Sequence, residues 1–120
     1  MVTDSDCLFC KIVGGEIPND TVYETETVLA FRDITPRAKV HVLVIPKSHE
    51  DTLGQMADAD PGSVAELFSA AREVARREGI EESGYRVVSN VGADAGQEVF
   101  HVHVHVLGAQ QLGPVGPGPR

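Results

Sequence analysis

The sequence is short of positive charge. Ten lysines and arginines stand against 18 aspartates and glutamates, a formal net charge of −8 over 120 residues. An acidic chain of this size repels polyanions, so binding to a nucleic acid polymer is not expected. A single nucleotide is not excluded, because a loop or helix end can hold one phosphate against an unfavourable overall field. Long apolar runs are also missing. The longest, "VLVIP", is far short of the roughly 20 residues of a membrane span, so no membrane contact is expected. The opening "MVTDSD" has neither a basic nor an apolar region, so no secretory leader is expected and a cytoplasmic location is the default. Cysteine is limited to Cys7 and Cys10. In a reducing compartment that pair reads as a metal or redox site rather than a structural disulfide.

What remains is ordinary globular material, 42% hydrophobic and 23% charged, enough for one domain with one core. A short helical turn around the cysteines, over 7–13, is stopped by Gly14-Gly15 and Pro18. "TVYET" and "TVLAFRD" read as a hairpin, and "VHVLVIPKSH" as a third strand ended by Pro46, with His41 and His49 near its two ends. Val64, Leu67, Phe68, Ala71, Val74 and Ala75 then recur at three- and four-residue steps, predicting an amphipathic helix from about 61 to 78. Asp60 suits its N-cap, Pro61 its first turn and Arg76-Arg77 its last, and Gly79 stops it. "GYRVVSN" is a fourth strand and "VGADAGQE" a loop. Strands around one good helix imply an α+β layer, with an antiparallel sheet packing one face on the helix. The other face can be left wet, with the histidines on it or in a cleft over it.

The last strand, expected over 101–107, carries the chemistry. "HVHVHVLG" alternates with the period of a β-strand, so His101, His103 and His105 line one face and Val102, Val104 and Val106 the other. The valines read as core, which makes the imidazoles a rigid platform. Either they grip a zinc ion with an open position, or one is a nucleophile and its neighbours hold the substrate. The preceding loop supplies Asn90, Gly92, Gly96 and Gln97, donors suited to phosphate oxygens. "CLFC" has the spacing that lets two thiolates share a tetrahedral metal, which then needs two more ligands from His41, His49, His101, His103 and His105.

"HVHVHVL" fits the His-φ-His-φ-His-φ-φ pattern, φ being apolar, of the histidine triad (HIT) superfamily. From "CLFCKIVGGEIP" through "FRDITPRAKVHVLVIPKSH" to "GQEVFHVHVHVLG" the chain resembles the Hint-like branch of that superfamily. The resemblance implies a HIT domain over 1–112 followed by a flexible Gly/Pro tail at 113–120. It implies a five-stranded antiparallel sheet with one main helix, extended to ten strands in a homodimer. It also implies a purine nucleotide phosphoramidase or nucleotidyl hydrolase acting at the α-phosphate. His103 would form a covalent nucleotidyl-histidine, and the product would be a nucleoside monophosphate. His105 would contact the α-phosphate beside His41, Asn90 and Gln97 would donate to the phosphate, and Phe31, Asp33 and Ile34 would form the nucleoside pocket. Cys7, Cys10, His49 and His101 would hold a structural zinc. Glu98 stands where some members have serine near the leaving group, and the tail lacks the tryptophan found near the C-terminus of others. The alternatives are a dinucleoside polyphosphate hydrolase of the same superfamily and a non-catalytic module that binds a nucleotide or a partner through its zinc knuckle.

Overall fold

A computed structural model describes residues 3–116. Helix α1 spans Leu8–Val13, strands β1, β2 and β3 span Thr21–Glu24, Val28–Arg32 and Val40–Pro46, and helices α2 and α3 span Leu53–Ala59 and Pro61–Arg77. Strand β4, Tyr85–Val88, and strand β5, Val104–Gly108, complete the fold. All neighbouring strands pair antiparallel, in the order β1-β2-β3-β5-β4.

Alternation sorts the central strands onto two faces. Val42, Val44, Val104 and Val106 pack with Leu67, Ala70, Ala71, Val74 and Ala75 of α3. The small alanines let α3 lie close on the sheet, and Asp60 caps it by accepting the Ser63 N–H. The end of β5 is equally tight. A Cβ on Gly108 would come within 2.8 Å of Ile80 Cδ1, so a larger residue at this strand end would force the Ile80 side chain to shift.

The opposite face is not wet. Leu29, Phe31, Leu43 and Ile45 are buried beneath Cys7, Phe9, Cys10 and Ile12 of the N-terminal turn. A six-residue α1 therefore closes the histidine side of the sheet. Two further expectations are corrected. Helix α2 was not anticipated, because only Leu53 and Met56 anchor it in the core. The strand expected from residue 101 is laddered only from Val104. Its register would set Val102 opposite Pro46, which has no N–H to offer, and the Pro46 carbonyl is taken by the His101 ring. Residues 101–103 run on without ladder partners, held instead by Val102 N–H donating to the Glu50 carbonyl.

Residues 113–116 form neither helix nor strand, although Gly113 accepts a hydrogen bond from Arg86, and the rest of the expected tail lies outside the described residues. No helix among the described residues is long and apolar enough to cross a membrane.

Candidate active site

The three strand histidines have different partners. His103 donates its Nδ1–H to the His101 carbonyl at 2.8 Å. That bond fixes the ring's tautomer and leaves Nε2 as the nitrogen with a free lone pair. The ring edge of Phe9 meets His103 at 5.2 Å between centroids, and Ser89 Oγ–H donates to the His103 carbonyl. Backbone and ring of the central histidine are both held.

His105 and His41 form a chain whose proton positions follow from its first link. The Arg37 N–H donates to His41 Nδ1 at 3.1 Å, so Nδ1 is the acceptor and Nε2 carries the proton. His41 Nε2 lies 2.9 Å from His105 Nδ1 and 3.5 Å from Asp33 Oδ2, which makes His105 the nearer acceptor. His105 must then carry its own proton on Nε2, as a donor. Burial lowers the pKa of His41 and takes that of His105 down to about 4, so both rings are neutral near pH 7. Neutrality and the alternating donor pattern support one another.

These residues border a cleft of about 300 Å³ lined by Phe9, Asp33, Thr35, Arg37, Leu43, Asn90, Gly96, Glu98, Val99, His103 and His105. Asn90, Asp33, His103 and His105 are therefore brought together as the sequence suggests. Three other expected residues are placed differently. Phe31 lies behind Phe9, edge to face at 5.8 Å, rather than on the cleft wall. Ile34 is 98% exposed and does not line the cleft; the Asp33 carboxylate before it accepts the Thr35 N–H. Gln97 is only 6% exposed, and its amide is committed to the protein. Its Nε2 donates to the carbonyls of Asp51 and Val99, and its Oε1 accepts the Gly92 N–H. No donor of Gln97 is left for a phosphate. Conversely, Phe9, Thr35, Arg37, Leu43 and Val99 line the cleft without having been singled out. Only Leu43 carried a signal, since it alternates onto the face of His41 and Ile45.

The second centre adjoins the first. Ligand atoms of Cys7, Cys10, His49 and His101 all lie within 4.8 Å of one another. His101 Nδ1 is 3.3 Å from Cys7 Sγ and 3.6 Å from Cys10 Sγ, and His49 Nδ1 is 3.5 Å from Cys10 Sγ. A tetrahedral zinc with Zn–S about 2.3 Å and Zn–N about 2.0 Å would separate sulfur and nitrogen by about 3.5 Å. The donor set fits such an ion. Each histidine also has its outer nitrogen held: His101 Nε2–H donates to the Pro46 carbonyl at 2.8 Å, and His49 Nε2 to Asp51 Oδ1 at 2.8 Å. Both hold Nδ1 toward the sulfurs, the arrangement that metal-ligating histidines need. Burial lowers the His101 pKa to about 4 and raises that of the Cys10 thiol. Among the described residues no candidate metal-binding group includes His103, so the three strand histidines do not converge on one ion.

Many known proteins are similar to this chain. The family model for the HIT domain matches residues 14–112. A purine nucleoside phosphoramidase of Escherichia coli K12 is 40% identical over 110 residues, 92% of each chain. A 14 kDa zinc-binding protein of Zea mays is 47% identical over 112 residues, 91% of this chain and 86% of that one. The solved structure of a histidine triad protein from Clostridium difficile superposes with a TM-score of 0.91 at 41% identity, covering 96% of this chain and all of that one.

Proposed function

The chain belongs to the HIT family, and from that membership we propose that it is a purine nucleotide phosphoramidase working through a covalent nucleotidyl-histidine on His103. One observation carries the reading: the hydrogen bond from His103 Nδ1–H to the His101 carbonyl, which assigns the lone pair of the imidazole tautomer to Nε2, on the ring that lines the cleft. A neutral imidazole is a competent nucleophile near pH 7. Its lone pair forms a bond to the α-phosphorus as the phosphorus–nitrogen bond of the substrate breaks, and the amine leaves with the electron pair and takes up a proton. Water then displaces the histidine, releasing the nucleoside monophosphate and one proton.

The other residues stabilise charge on the phosphoryl oxygens. His105 presents Nε2–H to an oxygen because His41 holds its Nδ1, and Asn90 supplies an amide donor from the facing loop. Asp33, which also lines the cleft, suits the ribose hydroxyls. Similarity to the phosphoramidase of Escherichia coli supports this substrate class. The metal centre is a structural zinc held by Cys7, Cys10, His49 and His101, whose closed set of four ligands leaves no open position for substrate. When bound, zinc supplies a cross-link between the N-terminal turn and the residues before β5. The chain pairs with a second copy through β4, which is an unbulged edge strand, whereas the other edge, β1, has a register irregularity between Thr21 and Tyr23. A sedimentation mass of one chain would refute the pairing.

The test is release of AMP from adenosine 5′-phosphoramidate by wild type and His103→Asn. Turnover by wild type that falls by about 10³-fold or more in the variant supports the reading. Wild-type protein that binds AMP but never turns over supports the non-catalytic module instead.

A further inference from the structure

Gln97 joins the two centres. Its Nε2 donates to the carbonyl of Asp51 at 2.7 Å, while the carboxylate of the same residue holds His49, one of the four candidate metal ligands. Its Oε1 accepts the Gly92 N–H at 2.8 Å, and its own N–H donates to the Gly92 carbonyl, so Gly92 and Gln97 are locked by a reciprocal pair. Between them the chain makes a single 3-10 turn, Ala93–Ala95, flanked by glycines at φ +85° and +87°. Such a loop has no core of its own. Its shape rests on the buried amide. The same stretch supplies Asn90, Gly96, Glu98 and Val99 to the cleft.

We propose that Gln97 is a positioning residue through which occupation of the Cys7-Cys10-His49-His101 centre orders the phosphate-side loop of the cleft. Metal on His49 fixes its ring, the ring fixes Asp51, and the Asp51 carbonyl fixes the Gln97 amide and with it Gly92. A second tie, Val102 N–H to the Glu50 carbonyl, links the same segment to the residues leading into β5. Metal and nucleotide are therefore thermodynamically coupled, and reciprocity requires each to tighten the other by the same factor. This rests on the proposed function only where it concerns nucleotide. The ordering of the loop by metal stands apart from it.

Hydrogen exchange at the Gly92 amide reads the link directly, because that N–H has Gln97 Oε1 as its acceptor. In wild-type protein, removing zinc with a chelator should speed Gly92 exchange by about 5-fold or more, the lower range of typical couplings. Amides of Ala30 and Val44 in the central strands should keep their protection. Gln97→Glu retains an acceptor for Gly92 but cannot, as carboxylate, donate to Asp51, so Gly92 exchange should become indifferent to zinc. Zinc-independent Gly92 exchange in wild type overturns the proposal without any variant. So does equal loss of protection at Ala30 and Val44, or a zinc response that survives in Gln97→Glu. In the second arm, AMP affinity is measured by calorimetry with and without zinc, and zinc affinity by chelator competition with and without AMP. Equal gains of about 5-fold or more that vanish in Gln97→Glu support the coupling. If AMP binds no form of the protein, the nucleotide reading falls, and the exchange measurement alone decides the loop.

Discussion

Replacing Phe9 with alanine tests whether the short N-terminal turn is core or ornament. The ring is 5% exposed and lies edge to face against His103 at 5.2 Å, and against His101 and Phe31 at 5.8 Å each. Truncating a buried phenylalanine costs about 3–5 kcal/mol, and the low end applies here because the vacated space opens into the cleft and can fill with water. About 3 kcal/mol in a chain of this size lowers the melting temperature by about 12 °C. Catalysis should suffer separately. An aromatic edge contact is worth about 0.5–1.5 kcal/mol beyond its buried area, so losing the one that holds the His103 ring lowers kcat by up to about 10-fold. Phe9→Leu separates the two effects. Leucine refills most of the space, so zinc-loaded Phe9→Leu should melt within about 5 °C of wild type while its kcat for AMP release stays depressed. Two results would refute the reasoning: Phe9→Ala melting with wild type, or Phe9→Leu with wild-type kcat.

Other expectations concern metal, pH and the leaving group. Cys10→Ser should abolish stoichiometric zinc in protein purified without added metal, as read by elemental analysis, and should lower the melting temperature. A variant that keeps one zinc per chain would move the metal elsewhere. His105 is held at a pKa of about 4 by burial, with the neighbouring His103 and His41 adding to the depression and Asp33 opposing it. Because the unfolded ring titrates near 6.5, the unfolded state takes up the proton first as pH falls. Its contribution is intact above about pH 6.5 and lost between there and about 4, by up to about 1.4 kcal/mol per pH unit. Denaturant unfolding across that window should be flatter in His105→Gln, and an unchanged slope would show that His105 is already charged in the folded protein. Glu98 lines the same cleft as His103, where a carboxylate would disfavour anionic leaving groups. Glu98→Ser should raise kcat/KM for a dinucleoside polyphosphate more than for a phosphoramidate, and an equal effect on both would remove Glu98 from substrate selection.

The sequence exposes some of this architecture and conceals the rest for identifiable reasons. The stripe of Leu67, Ala71, Val74 and Ala75 is long enough for its period to be unmistakable, and α3 lies where that stripe ends at Arg76-Arg77 and Gly79. Helix α2 has too few apolar anchors to show a period. The covered histidine face was hidden because the residues covering it, Phe9 and Ile12, lie far away in sequence, in a turn too short to announce itself. His103, His105 and the loop donor Asn90 could be picked out by residue type and alternation, whereas Asp33 and the role of His41 came from the family resemblance. Asp33, Asn90, His103 and His105 line one cleft, and His41 stands on β3 against His105. Gln97 illustrates the limit. An amide in a glycine loop reads as a ligand donor, and only its burial and three partners reveal that its hydrogen bonds are spent inside the protein. Ile34, given as nucleoside pocket by the family resemblance alone, stands exposed beside the turn in which Asp33 accepts the Thr35 N–H, and no pattern in "FRDI" foretells that turn.

Attack by His103 Nε2 on phosphorus is the central claim, and its most direct test is to catch the bond. Protein mixed with excess adenosine 5′-phosphoramidate is quenched within the first turnovers in alkaline denaturant, where a phosphorus–nitrogen bond survives, and then digested and weighed. The account predicts one AMP-sized addition on the fragment carrying His103, localised to that ring and absent from His103→Asn. An addition on His41 or His105, or amine released at full rate with no adduct at any quench time, would contradict it.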